Sequence, residues 1–153
     1  MTPRLLFRSV AIAETITWVL LIAGMLMKYG FAVGEIGVQV GGFLHGLVFI
    51  AFGLTALLVG VNQHWDLRLT SIAMATAIVP FATVPLNRGL EKNGLLIGGW
   101  RHTRTDDPRD HTPVSALLRW MLARPVVLAG IMAIALVTIM ATLLTIGPPG
   151  GTS

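Results

Sequence analysis

The sequence predicts an all-α, polytopic membrane protein, a bundle of four transmembrane helices with a polar cytoplasmic loop between helices three and four. Three observations predict it. Of 153 residues, 54% are hydrophobic and 12% charged, against roughly 45–50% and 25% in soluble domains. Mean hydropathy is +0.77. The apolar residues also arrive in blocks of about 20, the length needed to cross a hydrocarbon core of roughly 30 Å.

The first block runs from Leu5 to Met27, with Glu14 its only charge after Arg8. It is too long for a signal-peptide core of about 7–15 residues and lacks an A-x-A cleavage site, so it reads as a retained helix. Lys28 and Tyr29 close it as an interfacial cation and aromatic. The second block runs from Ile36 to Val61, and His45 is its only titratable residue.

The third block spans Leu67 to Leu86. Pro80 lies inside it and predicts a kink, because proline removes a backbone donor. Pro80, with Pro85 near the end of the block, makes segment three the one least suited to a plain crossing. Asn87 to Pro113 is the long polar stretch, and its glycines and prolines argue against one continuous helix. Within it, Gly94 to Trp100 is apolar enough to lie on the membrane surface. Ser115 to Arg124 reads as an amphipathic lead-in. Val126 to Ile146 is uncharged and uninterrupted, the cleanest spanning signal in the chain. The tail after Gly147, residues 148–153, reads as disordered.

This divides the chain into a three-helix membrane unit (1–88), a polar loop (89–114), a lead-in with the fourth helix (115–147) and a tail. Arg4, Arg8 and Arg68 then fall on the side of the N-terminus, and the other eight Lys and Arg on the opposite side. The positive-inside rule places loop 87–114 in the cytoplasm and both termini outside. The net charge of +4 is explained by this topology rather than by nucleic-acid binding.

A carboxylate in mid-membrane is costly unless paired, protonated or hydrated, so Glu14 should face the bundle interior. Thr17 and Trp18, at i+3 and i+4, share its face. His45 is its natural candidate partner, with a register mismatch of about four residues, or roughly 6 Å. The pair reads first as an interhelical packing bond. The second reading is a proton relay or ligand site, with Lys28 as a further polar candidate. No third ligand suggests a metal. Helix two carries Gly37 with Gly41, and Gly42 with Gly46, at small-xxx-small spacing. Gly46, Gly53 and Gly60 repeat every seven residues, and Ala73 and Ala77 answer them from helix three. This seam serves packing within the bundle, or docking to a second copy or another membrane subunit.

No P-loop, nucleophile elbow, zinc-protease or dinucleotide motif is present in the sequence. No catalytic residue or cofactor is assigned. Asp106, Asp107 and His111, the residues an enzyme reading would need, read as solvating a flexible connection.

Phe7-Arg8-Ser9-Val10-Ala11 with Glu14, Lys28-Tyr29, Gly42-Phe43-Leu44-His45-Gly46 with Phe49, and Pro80-Phe81 with Thr83 occur in this order. In this pattern, over about residues 7–88, the chain resembles the YdzA-like family of bacterial integral membrane proteins (domain of unknown function 3817). Thr15, Leu26 and Ala82 depart from it, and the fourth helix looks like an extension beyond its usual three. The resemblance implies a bacterial plasma-membrane protein and no particular reaction. The expected role is a non-enzymatic accessory or assembly subunit of a larger membrane complex, whose partners are the bilayer and other subunits. The alternative is a small oligomeric proton-coupled transporter using Glu14 and His45.

Overall fold

The computed structural model describes residues 1–147. They form helices joined by turns and loops, with no strand among the described residues. Three helices are long and apolar enough to cross a membrane. The first is α1 (Pro3–Met25), which continues through a wide turn at Leu26–Gly30. The others are α2 (Ile36–Asn62) and α6 (Pro125–Ile146). Between α2 and α6 lie α3 (Leu67–Ala75), α4 (Thr83–Lys92) and α5 (Pro113–Leu122).

Local chemistry sets the starts. Thr2 accepts from Leu5 N at 3.2 Å, Asp66 from Leu69 N at 2.7 Å and Thr112 from Ser115 N at 3.3 Å, each satisfying an amide the helix leaves free. Pro3, Pro113 and Pro125 sit in the first turn, where no donor is needed. The lead-in and the last spanning helix fall where the sequence places them.

Segment three is not the single kinked span expected over 67–86. After Ala75 the chain tightens into a 3-10 turn at Thr76–Ile78, and Val79 is extended, as sterics demand before a proline. Phe81 then takes φ +66°, a left-handed conformation rare for a bulky residue. From there α4 folds back. Trp65 stacks edge-on to Phe7, with centroids 5.6 Å apart, where α3 begins. Trp18 Nε1 donates to Ala77 O at 3.3 Å where α3 ends. Thr83 reaches Ala11 and Glu14 on α1, and Glu91 pairs with Arg4 at 2.9 Å. Residues 67–92 are therefore a helical hairpin whose tip lies level with Trp18, near the middle of the 28-residue first helix. Both its ends lie beside the N-terminus of α1.

The hairpin fixes where the loop goes. Trp100 Nε1 donates to Met1 O at 2.8 Å, and Trp65 Nε1 donates to Leu95 O at 2.9 Å. The arrangement expected from sequence, with loop 87–114 and the N-terminus at opposite ends, is thus corrected. An out-and-back pair of half-length helices returns the chain to its starting end, where one crossing would not. Gly94–Trp100 does not simply lie on a surface either. Leu96 is buried in one core with Phe7, Phe52, Val59, Ala73, Ala77 and Leu90. From this end α6 runs back along α2, with Met132 beside Leu54 and Leu58, and Met140 against Gly46. The tail residues 148–153 lie outside the described residues.

The closest helix contact is between α1 and α2, and glycine makes it possible. A side-chain carbon on Gly24 would collide with the Gly37 carbonyl, and one on Gly41 would lie 2.9 Å from Leu20 O. The expected seam divides among neighbours. Gly42 faces Leu21, Gly46 faces Met140 on α6, Gly53 faces Met74, and Gly60 faces Thr70 and Trp65. Ala73 and Ala77 are buried at the α3 interface.

Candidate functional site

The hairpin tip brings the polar residues of mid-bundle together. Glu14 is fully buried. The Thr83 hydroxyl lies 2.9 Å from its Oε2 and 3.1 Å from Ala11 O, so its single proton serves both. Thr15 Oγ1 is 3.4 Å from the same hydroxyl. Glu14 Oε1 has no partner among the described residues. The partner of Glu14 is thus Thr83, on the returning arm of segment three.

His45 stands one step away. Thr17 donates to Glu14 O at 2.9 Å, which leaves its oxygen, 3.3 Å from His45 Nδ1, to accept from the ring. This tautomer is inferred from the bonding pattern. The ring also packs on Trp18, with centroids 4.4 Å apart. Glu14 and His45 therefore meet through Thr17 and the α1 backbone, without a direct bond. Lys28 is remote from both. It pairs with Glu35 at 2.8 Å at the α1–α2 connection.

The arrangement is a desolvated carboxyl tied to a helix-hairpin tip by one hydroxyl. Thr83→Val is expected to cost about 1–3 kcal/mol, because it leaves a buried polar group unpaired. The cost should shrink markedly in a Glu14→Leu background, read as melting temperature in detergent. An equal cost in both backgrounds would show that the Thr83–Glu14 contact is not the source.

A second polar cluster ties the loop to the end of α2, and sequence reasoning missed it. Asp110 is fully buried. It accepts from Thr105 N at 3.2 Å and pairs with His64 Nε2 at 3.2 Å and with Arg101. Arg119 on α5 donates to its backbone carbonyl at 3.0 Å. Asn62 closes the cluster, accepting from Arg101 N at 2.9 Å and donating to Gly99 O at 3.1 Å. In sequence, Asp110 is indistinguishable from Asp106, which is exposed, and from Asp107, which pairs with Arg109 at 2.8 Å. Nothing in the spacing marks it. His111 lies beside Arg104.

Burial, then the guanidinium groups of Arg101 and Arg109, hold the His64 imidazole below its usual pKa of about 6.5. The unfolded chain therefore takes this proton at higher pH than the folded one. Stability is full above about pH 6.5 and is lost as the pH falls through the folded value. The Glu91 carboxyl, lowered chiefly by its hydrogen bond from Arg4, and that of Asp107, lowered by Arg109, lose their contributions only below the usual carboxylate range, near pH 4. His64→Gln should flatten the fall in melting temperature between about pH 7 and 5. An unchanged slope would assign that acid sensitivity to another group.

Residues 5–92 match a protein family described as "Domain of unknown function (DUF3817)". The match takes in α1 from Leu5, α2, the hairpin and Glu14, His45 and Thr83; of the second cluster it includes Asn62 and His64 but ends before Arg101, Asp110 and Arg119. The chain is also similar to a Streptomyces coelicolor protein named "Putative membrane protein SCO5905", with 39% identity over 98 residues. Those residues are 62% of this chain and 12% of the relative, so the chain spans a small part of that protein's length. No solved structure matches.

Proposed function

This chain belongs to the DUF3817 family, and from that premise we propose that it is a non-catalytic accessory or assembly subunit of a larger membrane complex in the bacterial plasma membrane. The observation that carries the reading is the 12% share of the much longer relative taken up by the matched stretch. A fold that recurs inside a longer membrane chain is suited to packing against further helices. The surface of α6 supports the same reading. Ile134, Val137 and Leu144 are each more than 60% exposed on this otherwise uncharged helix, an apolar face for lipid or a neighbouring subunit. Crosslinking in native membranes, extraction in mild detergent and mass spectrometry test it. One reproducible membrane partner at defined stoichiometry is expected, and recovery as an uncrosslinked monomer would contradict the reading.

In this proposal three helices cross the bilayer and residues 67–92 enter and leave from one side. Ten of the eleven Lys and Arg then fall at the end that carries the N-terminus and the loop, and Lys28 alone at the other. By the positive-inside rule the N-terminus and loop are cytoplasmic and the end of α6 is outside. This replaces the three-against-eight split of a four-crossing topology.

A second reading is a proton-coupled permease assembled from several copies. The fully buried Glu14, with one oxygen unpartnered, favours it. It requires Glu14→Gln and His45→Ala to abolish flux in proteoliposomes, and flux equal to the parent's would exclude it.

A further inference from the structure

A cleft of about 320 Å³ lies between α1 and α4, on the end of the bundle that carries the loop. Its polar lining is Arg8, Asn87, Arg88 and Glu91, and its apolar lining is Ala11, Ile12 and Val84. The two arginines are exposed and make no hydrogen bond or ion pair among the described residues. Glu91 is already engaged. Arg4 donates to its Oε2 at 2.9 Å, and Asn87 Nδ2 donates to its Oε1 at 3.1 Å. That bond fixes which way the Asn87 amide points. Its Oδ1 is left buried, with no donor, in a side chain only 5% exposed.

These groups ask for three things from one ligand. Two free guanidinium groups want anionic oxygens, which they bind through paired N–H donors. The orphaned Asn87 oxygen wants a hydroxyl or amine proton. The apolar lining wants an apolar stem. A phosphodiester bearing a hydroxylated head group on one side and an acyl glycerol on the other supplies all three. Basic pockets at the depth of the head groups bind anionic lipids.

We propose that the α1–α4 cleft binds an anionic phospholipid of the phosphatidylglycerol class. The phosphate lies between Arg8 and Arg88, and a turn of the Asn87 side chain uncovers its buried Oδ1 to a head-group hydroxyl. The same phosphate chemistry occurs in small soluble phosphate esters, and the apolar side chains of Ala11, Ile12 and Val84 beside the arginines favour the lipid. The assignment rests on the cleft alone and holds whichever leaflet it faces.

Native mass spectrometry of the full chain in detergent, titrated with phosphatidylglycerol or phosphatidylcholine, tests the proposal. One phosphatidylglycerol is expected to bind about tenfold more tightly than phosphatidylcholine, the scale of one charge-assisted bidentate contact. Arg8→Gln with Arg88→Gln should abolish the preference. Arg104→Gln with Arg109→Gln, which removes the same charge elsewhere, should retain it. Asn87→Leu should weaken phosphatidylglycerol binding while leaving phosphatidylcholine unchanged. Equal binding of the two lipids would overturn the proposal, as would equal loss in the two arginine pairs. Displacement of the lipid by glycerol 3-phosphate would instead make the cleft a site for a soluble ester and overturn the lipid assignment.

Discussion

Asp110→Ala is expected to cost about 3–5 kcal/mol, the range for removing one partner from a buried ion pair. Asp110 is fully buried, and Arg101 and Arg119 converge on it with side chains only 18% and 15% exposed. Without the carboxylate, two largely buried guanidinium groups face each other with no ion-pair partner among the described residues. The loop from Asn93 to Thr112 should then leave the end of α2. Trypsin, which cleaves after arginine, reports the release at Arg101, Arg104 and Arg109. The parent loop should resist digestion and the variant loop should be cut within minutes, with the spanning helices still intact. Asp110→Asn, which keeps an acceptor but no charge, should fall between them. Asp106→Ala, at an exposed carboxylate, is the control and should behave as the parent.

Gly24→Ala is the second large effect. The added carbon meets the Gly37 carbonyl and lies 2.8 Å from Val38 N. Backbone on the partner helix cannot rotate aside, so α1 and α2 must separate over their closest contact. A loss of about 3 kcal/mol or more is expected, the upper range for overpacking, seen as lower yield and melting temperature in detergent. Gly53→Ala gives the contrast. Its added carbon lies 3.8 Å from the flexible end of Met74. That substitution should be neutral, or stabilising by up to about 1 kcal/mol through helix propensity. Equal damage from both would show that the close α1–α2 crossing is not what glycine serves.

The helical class was legible because apolar blocks of spanning length have few other uses, and α1, α2 and α6 coincide with those blocks almost residue for residue. Glu14 was legible as an inward-facing residue for the same reason that it is costly. Its partner was harder to read. Thr83 is an ordinary threonine until the chain turns at Pro80 and brings it back to Ala11 and Glu14. Composition cannot tell a crossing from a hairpin, because both bury the same apolar side chains in the same solvent. Two signals were present. Pro80 breaks the ladder, and a loop on the N-terminal side sharpens the charge bias from eight against three to ten against one. Gly24 went unread because its partner Gly37 sits across the α1–α2 turn, at no regular spacing from it. Asp110 was illegible because burial, not spacing, separates it from Asp106 and Asp107.

The chain has no cysteine, so single cysteines placed in it report sidedness without background. Thr2→Cys, Thr103→Cys and Tyr29→Cys, in oriented membrane vesicles treated with a membrane-impermeant maleimide, test the hairpin most directly. Thr2→Cys and Thr103→Cys should label from the same face and Tyr29→Cys from the opposite one. Labelling of Thr2→Cys and Thr103→Cys from opposite faces would mean that residues 67–92 cross the bilayer, and would contradict the account.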